Sequence, residues 1–281
     1  MTLISKLFKE EDEIVIKPIK GFVSLNIREL WRYRELLITF TWRDIKVRYT
    51  QTILGILWAI IPPLLSMIIF SIIFGRFVST STEIPYPIFV YIGTFIWTYF
   101  STALTSSSNS LVNHQTMIQK IYFPRIILPL SSIISGLIDF GISFVILIIL
   151  MIYYQFFPGL IGLILIPVLL LITMLSALGF GLLLSAINVK YRDVKYALPF
   201  FVQIGLFITP VIYPLETLEG WSFLLWLNPM TSVIENARAG LLSIGIINWH
   251  LLIFSLIISI FYFVMGLYYF KRSENYFADI I

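Results

Sequence analysis

Long apolar runs alternate with short polar loops along this chain, at about 53–75, 88–112, 126–153, 160–187, 194–213 and 250–270. At about 1.5 Å of rise per residue, each can cross a hydrocarbon core of about 30 Å as a helix. In lipid every backbone N–H and C=O needs a partner inside the protein, which leaves helices or closed barrels. Continuous apolar runs, rather than short alternating segments, select helices. The pattern predicts an all-α membrane protein with six transmembrane helices.

Two further elements follow from the segments between the runs. Basic and aromatic residues interleave over 26–50, with Leu30, Trp31, Leu37, Phe40 and Trp42 among Arg28, Arg32, Arg34, Arg43, Lys46 and Arg48. Asn26 and Glu29 have capping-box spacing, and a helix of this composition that leads straight into a span is expected to lie in the headgroup plane. Segment 214–249 is too apolar for an aqueous loop, yet Asn228-Pro229 divides it into halves too short to span. The residue before proline avoids helix, and Ser232 to Glu235 offers a second capping box. A re-entrant helical hairpin before the last span is the expected form. Non-helical backbone at such depth is tolerated where it packs in protein or lines a water-filled cavity. Pro62 and Pro63 predict a kink in the first span, because the carbonyls of Trp58 and Ala59 lose their helical partners.

Charge orients the chain. Ten of the 19 Lys and Arg precede residue 53, seven more lie in alternate loops and the tail, and Arg76 and Arg238 alone fall on the other side. Basic loops stay cytoplasmic, so both termini are expected inside a cell (inner or plasma) membrane. The same asymmetry accounts for a pI near 9.2 without nucleic acid as a partner. No short apolar stretch precedes residue 53, so insertion is expected to begin with the first span rather than a cleaved leader. The absence of cysteine excludes disulfides and thiolate metal sites. Residues 1–25 read as a charged cytoplasmic tail, and 26–281 as a single transmembrane domain.

Candidate chemistry inside the spans is sparse. Asp139 is the ionisable residue well inside a predicted span, where a carboxylate is functional by default. Hydrogen bonding to the polar run Thr105–Ser110 competes with a proton-relay role, and a relay normally uses several acids. His114 and His250 fall on opposite sides, no metal-ligand cluster appears, and no GxxxxGK[ST] phosphate loop is present. If ATP drives this protein, another chain hydrolyses it.

Short motifs in fixed order add a family resemblance. They are Trp42-Arg43-Asp44-Ile45-Lys46-Val47-Arg48-Tyr49, then Thr52-Ile53-Leu54-Gly55-Ile56-Leu57-Trp58 with Pro62. Asn188-Val189-Lys190-Tyr191-Arg192-Asp193-Val194, Thr209-Pro210-Val211-Ile212-Tyr213 and Asn228-Pro229-Met230 follow. From about Arg28 onward the chain resembles the permease subunits of polysaccharide-exporting ATP-binding-cassette transporters, which export O-antigen, capsule and teichoic acid. Residues 1–20 depart from the shortest members of that family.

The resemblance implies a permease that pairs with a second copy of itself and with a cytoplasmic ATPase carrying ATP and Mg. This chain itself would bind no cofactor. It implies a channel for a lipid-linked polysaccharide, and ATPase contacts at Arg43, Asp44, Lys46 and Arg48, at Gln119, Lys120 and Arg125, and at Tyr191, Arg192 and Asp193. Sugar rings stack on aromatic faces, which makes Trp58, Phe70, Phe74, Phe200, Phe207 and Tyr213 candidates for the pathway. A drug or small-molecule exporter of the same superfamily is the alternative. A membrane enzyme acting on lipid-linked sugar is disfavoured by the lack of a polar catalytic cluster.

Overall fold

The computed structural model describes residues 27–50, 52–76, 84–215, 226–243 and 246–280, and every regular element among them is a helix. These are α1 (Ile27–Arg32), α2 (Arg34–Thr50), α3 (Leu57–Phe74), α4 (Tyr86–Asn113), α5 (Gln115–Lys120), α6 (Ile127–Tyr153), α7 (Leu160–Lys190), α8 (Val194–Ile208), α9 (Pro229–Leu242) and α10 (Trp249–Ile280). Five of them, α3, α4, α6, α7 and α10, are long and apolar enough to cross a membrane.

The central post is α4. Its stretch from Ile88 to Trp97 is buried on every side, and α6, α7, α3, α8 and α9 all pack on it. On its other flank α7 meets α10 and α9. Two glycine pairs set the spacing. A β-carbon on Gly266 would strike the Gly179 carbonyl, and one on Gly162 would strike the Gly240 backbone. Such close approaches replace the missing hydrophobic drive between helices in lipid. Hydrogen bonds add direction to the packing. Ser176 and Ser259 hydroxyls lie 2.9 Å apart between α7 and α10. Asn188 donates from α7 to the Ser108 carbonyl (3.2 Å) and the Asn109 side chain (3.1 Å) on α4.

One carbonyl freed by the prolines of α3 finds its donor on a neighbouring helix. Pro63 has no N–H for the Ala59 carbonyl, and the Ser143 hydroxyl of α6 supplies a donor at 3.1 Å.

The basic stretch departs from a helix lying across the spans. Backbone bonds from Tyr33 to Glu29 and from Leu37 to Tyr33 carry α1 into α2 almost without a break, and α2 then packs along α6. Contacts on the two helices advance together. Phe40 meets Phe123 just ahead of α6, and along α6 Asp44 meets Ser131 and Arg48 meets Asp139. Asp139 lies twelve residues beyond Ile127, about 18 Å along α6. The pull of that carboxylate on Arg48 therefore draws the end of α2 into the bundle. A turn at Gly55, with φ +48°, begins α3 level with the middle of α4. Trp31, Ile38 and Trp42 form an exposed apolar stripe opposite the face that packs on α6, so apolar residues occupy two sides of α1–α2.

The fifth apolar run is shorter as a helix than its sequence. α8 has 15 residues, about 22 Å, and stops at Ile208 with Thr209 extended at φ −76°, ψ 139°. Pro210 is the cause, since the residue before proline is forced out of helix. The re-entrant hairpin is described only in its second limb, α9, because 216–225 lie outside the described residues. α9 begins earlier than Ser232. Asn228 is the N-cap, its side chain accepting from Met230 N at 3.1 Å with Pro229 in the first turn. Ser232 and Glu235 are thus interior residues of α9. The capping box at Asn26 lies outside the described residues.

Replacing Gly266 with leucine tests the α7–α10 approach. The added side chain meets backbone that cannot move aside, so the variant should lose at least about 1–3 kcal/mol. A clearly lowered thermal midpoint in detergent is expected. A midpoint equal to that of the unaltered protein would mean the helices are not held this close.

Candidate functional site

One end of the bundle is basic, carrying α2, α5 and the ends of α7 and α10. The residues expected to meet an ATPase divide there into a packed set and an exposed set. Arg43 chelates Asp44 at 2.8 and 3.2 Å, stacks on Phe40 at 4.9 Å, and donates to His114 Nε2 at 2.5 Å. His114 Nδ1 is 2.7 Å from the Ser110 carbonyl. The ring thus bridges the Arg43 guanidinium and the Ser110 carbonyl. Arg125 is likewise engaged. It bonds the Glu274 carbonyl and lies 5.7 Å from the Phe277 ring near the end of α10, and Lys271 holds the Glu274 carboxylate at 2.7 Å. A cation on a carbonyl in the closing turns of a helix is favourably placed.

Lys46, Gln119, Lys120, Tyr191, Arg192 and Asp193 are the exposed set. Tyr191 carries Lys190 over its ring at 4.9 Å. Among the described residues neither Arg192 nor Asp193 has an ion-pair partner. Their charges stand at the α7–α8 junction, open to another protein.

Arg48 sits apart from both sets. Its guanidinium reaches Asp139, and Tyr49 donates to the same carboxylate. Asp139 was expected to bond the Thr105–Ser110 run. That run instead bonds chiefly to α7 and within α4, as with Asn109 to Asn188 and Ser110 to Ser107. The pair borders a cavity of about 280 Å³ at the α2–α3 elbow, lined also by Trp58, Thr102, Ser106 and Phe140. A more open groove of about 400 Å³ runs between α4 and α8, and Thr102 and Ser106 line both spaces.

The aromatic candidates scatter. Trp58 lines the elbow cavity. Phe70 and Phe74, ring centroids 6.2 Å apart, are partly buried against the core. Phe200 and Phe207 are exposed on α8. Tyr213 donates its hydroxyl to the last α8 carbonyls, Phe207 at 2.9 Å and Ile208 at 3.0 Å.

At the opposite end a residue assigned no role from sequence governs the geometry. Arg238 is 4% exposed, with Phe89 3.6 Å beneath its guanidinium. It donates to the carbonyls of Phe89 (3.2 Å), Pro210 (2.8 Å) and Val211 (2.5 Å) and to Glu235 (3.0 Å). Tyr86 supplies the Ile212 carbonyl at 2.7 Å, and Asn228 donates to Thr209 Oγ1 at 2.8 Å. The carbonyls of Pro210, Val211 and Ile212, beyond the end of α8, are thus met by side chains of α4 and α9. The Thr209–Tyr213 and Asn228–Met230 motifs are the two sides of this joint. The sequence signal was a lone arginine three residues after a glutamate in an otherwise apolar segment.

These features define a helical membrane protein built around a polar joint and a charged loop end. The chain belongs to the ABC-2 type transporter family, whose sequence profile matches residues 35–242. It is 33% identical over 217 residues to the O-antigen export system permease protein RfbA of Myxococcus xanthus, covering 76% of this chain and 82% of that protein. It is 28% identical over 249 residues to RfbA of Klebsiella pneumoniae, covering 88% and 95%. Against the polysialic acid transport protein KpsM of Escherichia coli the identity is 28% over 227 residues, covering 76% and 86%.

Arg238→Leu removes the donor to three buried carbonyls and its bond to Glu235. Losses of this kind cost on the order of 3–5 kcal/mol. The variant should show a sharply reduced yield of monodisperse protein, and Arg238→Lys, lacking the planar fork, should recover only part of it. Full yield from Arg238→Leu would remove the residue from the joint.

Proposed function

We propose that this chain is the permease subunit of an ATP-driven exporter that carries a lipid-linked polysaccharide outward across the inner membrane. The observation that carries this reading is the similarity to O-antigen and polysialic acid export permeases over three quarters or more of the chain. The chain brings the helices and the loop end of such a subunit, while the ATPase with its ATP and Mg is a separate cytoplasmic protein. Both termini lie on the cytoplasmic side with the basic end. O-antigen and polysialic acid are the substrates in the relatives' names, and capsule and teichoic acid belong to the same chemical class.

A second copy of the chain completes the channel. α3 buries only Ala59 and Pro63 within the protomer, and α8 only Leu198. A span and a half-span left this bare within one bundle are suited to a partner copy and to lipid. Coupling to the ATPase runs through the exposed set, Lys46, Gln119, Lys120, Tyr191, Arg192 and Asp193. Arg43, Asp44 and Arg125 stiffen the surface behind them, and Arg48 carries the end of α2 into the bundle.

The purified chain alone should hydrolyse no ATP above background, and hydrolysis should appear when the cognate ATPase is co-purified. Within that complex Arg192→Glu should lower export and stimulated hydrolysis by roughly tenfold, equivalent to about 1.4 kcal/mol of docking. Membrane insertion should be retained, since ample positive charge remains. Hydrolysis by the chain alone would overturn the two-subunit reading. Unchanged export by Arg192→Glu would remove the α7–α8 junction from the coupling surface.

A further inference from the structure

The elbow cavity holds more hydrogen-bonding capacity than the protein uses. A guanidinium has five N–H donors in a planar fork. Among the described residues Arg48 commits one side-chain donor, to Asp139. Among the same residues the Thr102 and Ser106 hydroxyls on the cavity wall make no hydrogen bond. Partly desolvated charge and hydroxyl groups of this kind cost free energy until something polar meets them. The lining also carries the rings of Trp58 on α3, Phe95 on α4 and Phe140 on α6.

The occupant is constrained by charge, shape and size. Arg48 and Asp139 together present no net charge, so a phosphate drawn by one is repelled by the other. A neutral ring carrying adjacent hydroxyls can accept from the guanidinium fork and donate to the carboxylate, while its C–H face rests on an indole. A volume of about 280 Å³ is that of about nine waters at ~30 Å³ each, the scale of one pyranose ring and its hydroxyls. The cavity is also continuous in lining with the α4–α8 groove, where Ser101, Thr105 and Gln203 extend the polar wall past the shared Thr102 and Ser106.

We propose that the elbow cavity is a glycan subsite that holds one neutral sugar residue of the exported polymer, with Arg48 and Asp139 as its hydrogen-bonding fork and Trp58 as its stacking face. This assignment rests on the exporter reading above. It gives the motif that ends at Tyr49 and resumes at Thr52 a task in substrate binding, where position next to the ATPase surface alone would suggest coupling.

The chain contains no cysteine, so single thiols report cleanly. Ser106→Cys, Thr102→Cys and, as a control on the exposed face of α6, Val145→Cys are prepared in the full permease–ATPase complex. Each is labelled with a small methanethiosulfonate reagent. The probe is the phosphate-free oligosaccharide released by mild acid from the cell's own lipid-linked glycan, with inorganic phosphate in a parallel arm. At about twice its dissociation constant the oligosaccharide should slow labelling of Ser106→Cys and Thr102→Cys about threefold, by simple occupancy, and leave Val145→Cys unchanged. Adding Arg48→Gln should abolish the protection. Trp58→Leu, which leaves the ion pair in place, should weaken it and serves if Arg48→Gln does not fold.

Equal rates with and without oligosaccharide, no labelling of either cavity thiol, protection by phosphate alone, or protection that survives both Arg48→Gln and Trp58→Leu would each overturn the subsite. Glycan transport by the unaltered complex in vesicles separates the two levels. Transport without protection leaves the exporter reading standing and the subsite refuted, and absence of transport refutes both.

Discussion

The joint around Arg238 is the constraint on which the rest of the bundle depends. Pro210 ends α8 inside apolar surroundings and leaves a run of carbonyls with no helical donors. Arg238 meets two of them and a third on α4, while Tyr86 and Tyr213 meet the others. With those groups satisfied, backbone can leave helical form within the bundle without the penalty lipid imposes. The joint also sets where α9 lies against α7, since Gly162 and Gly240 then touch. α4 offers the Phe89 ring and carbonyl to the same guanidinium.

The opposite end follows a different rule. There charge is partitioned between residues that hold helices together and residues that face out. Arg43 locks α2 to the α4–α5 corner through His114, and Arg125 locks the start of α6 to the end of α10. Arg48 extends the same chain of contacts inward, so that α2 links the loop surface to the cavity beside α3.

Much of this was legible from residue order. Apolar runs located the helices because lipid solvation demands them, and Asn228-Pro229 marked a real break, although the helix after it starts there and not at Ser232. Other features resisted for identifiable reasons. Arg238 finds most of its partners among backbone carbonyls, which every residue carries and no sequence pattern advertises. Arg48 and Asp139 were each noticed alone, yet pairing them requires α2 to climb α6, a tertiary choice that a basic, aromatic segment does not disclose. Two apolar stripes on α1–α2 read from sequence as one membrane-facing surface. Thr209-Pro210 shortened a run whose composition alone suggested a full span. Aromatic candidates were too numerous to sort without the cavities, and Trp58 is the one that borders the elbow.

The most direct test of the account is depletion of this chain in its own cell, followed by measurement of surface polysaccharide and of lipid-linked glycan inside. The account predicts loss of the surface polymer together with accumulation of lipid-linked glycan on the cytoplasmic face. Surface polysaccharide at its normal level, with no internal accumulation, would contradict it.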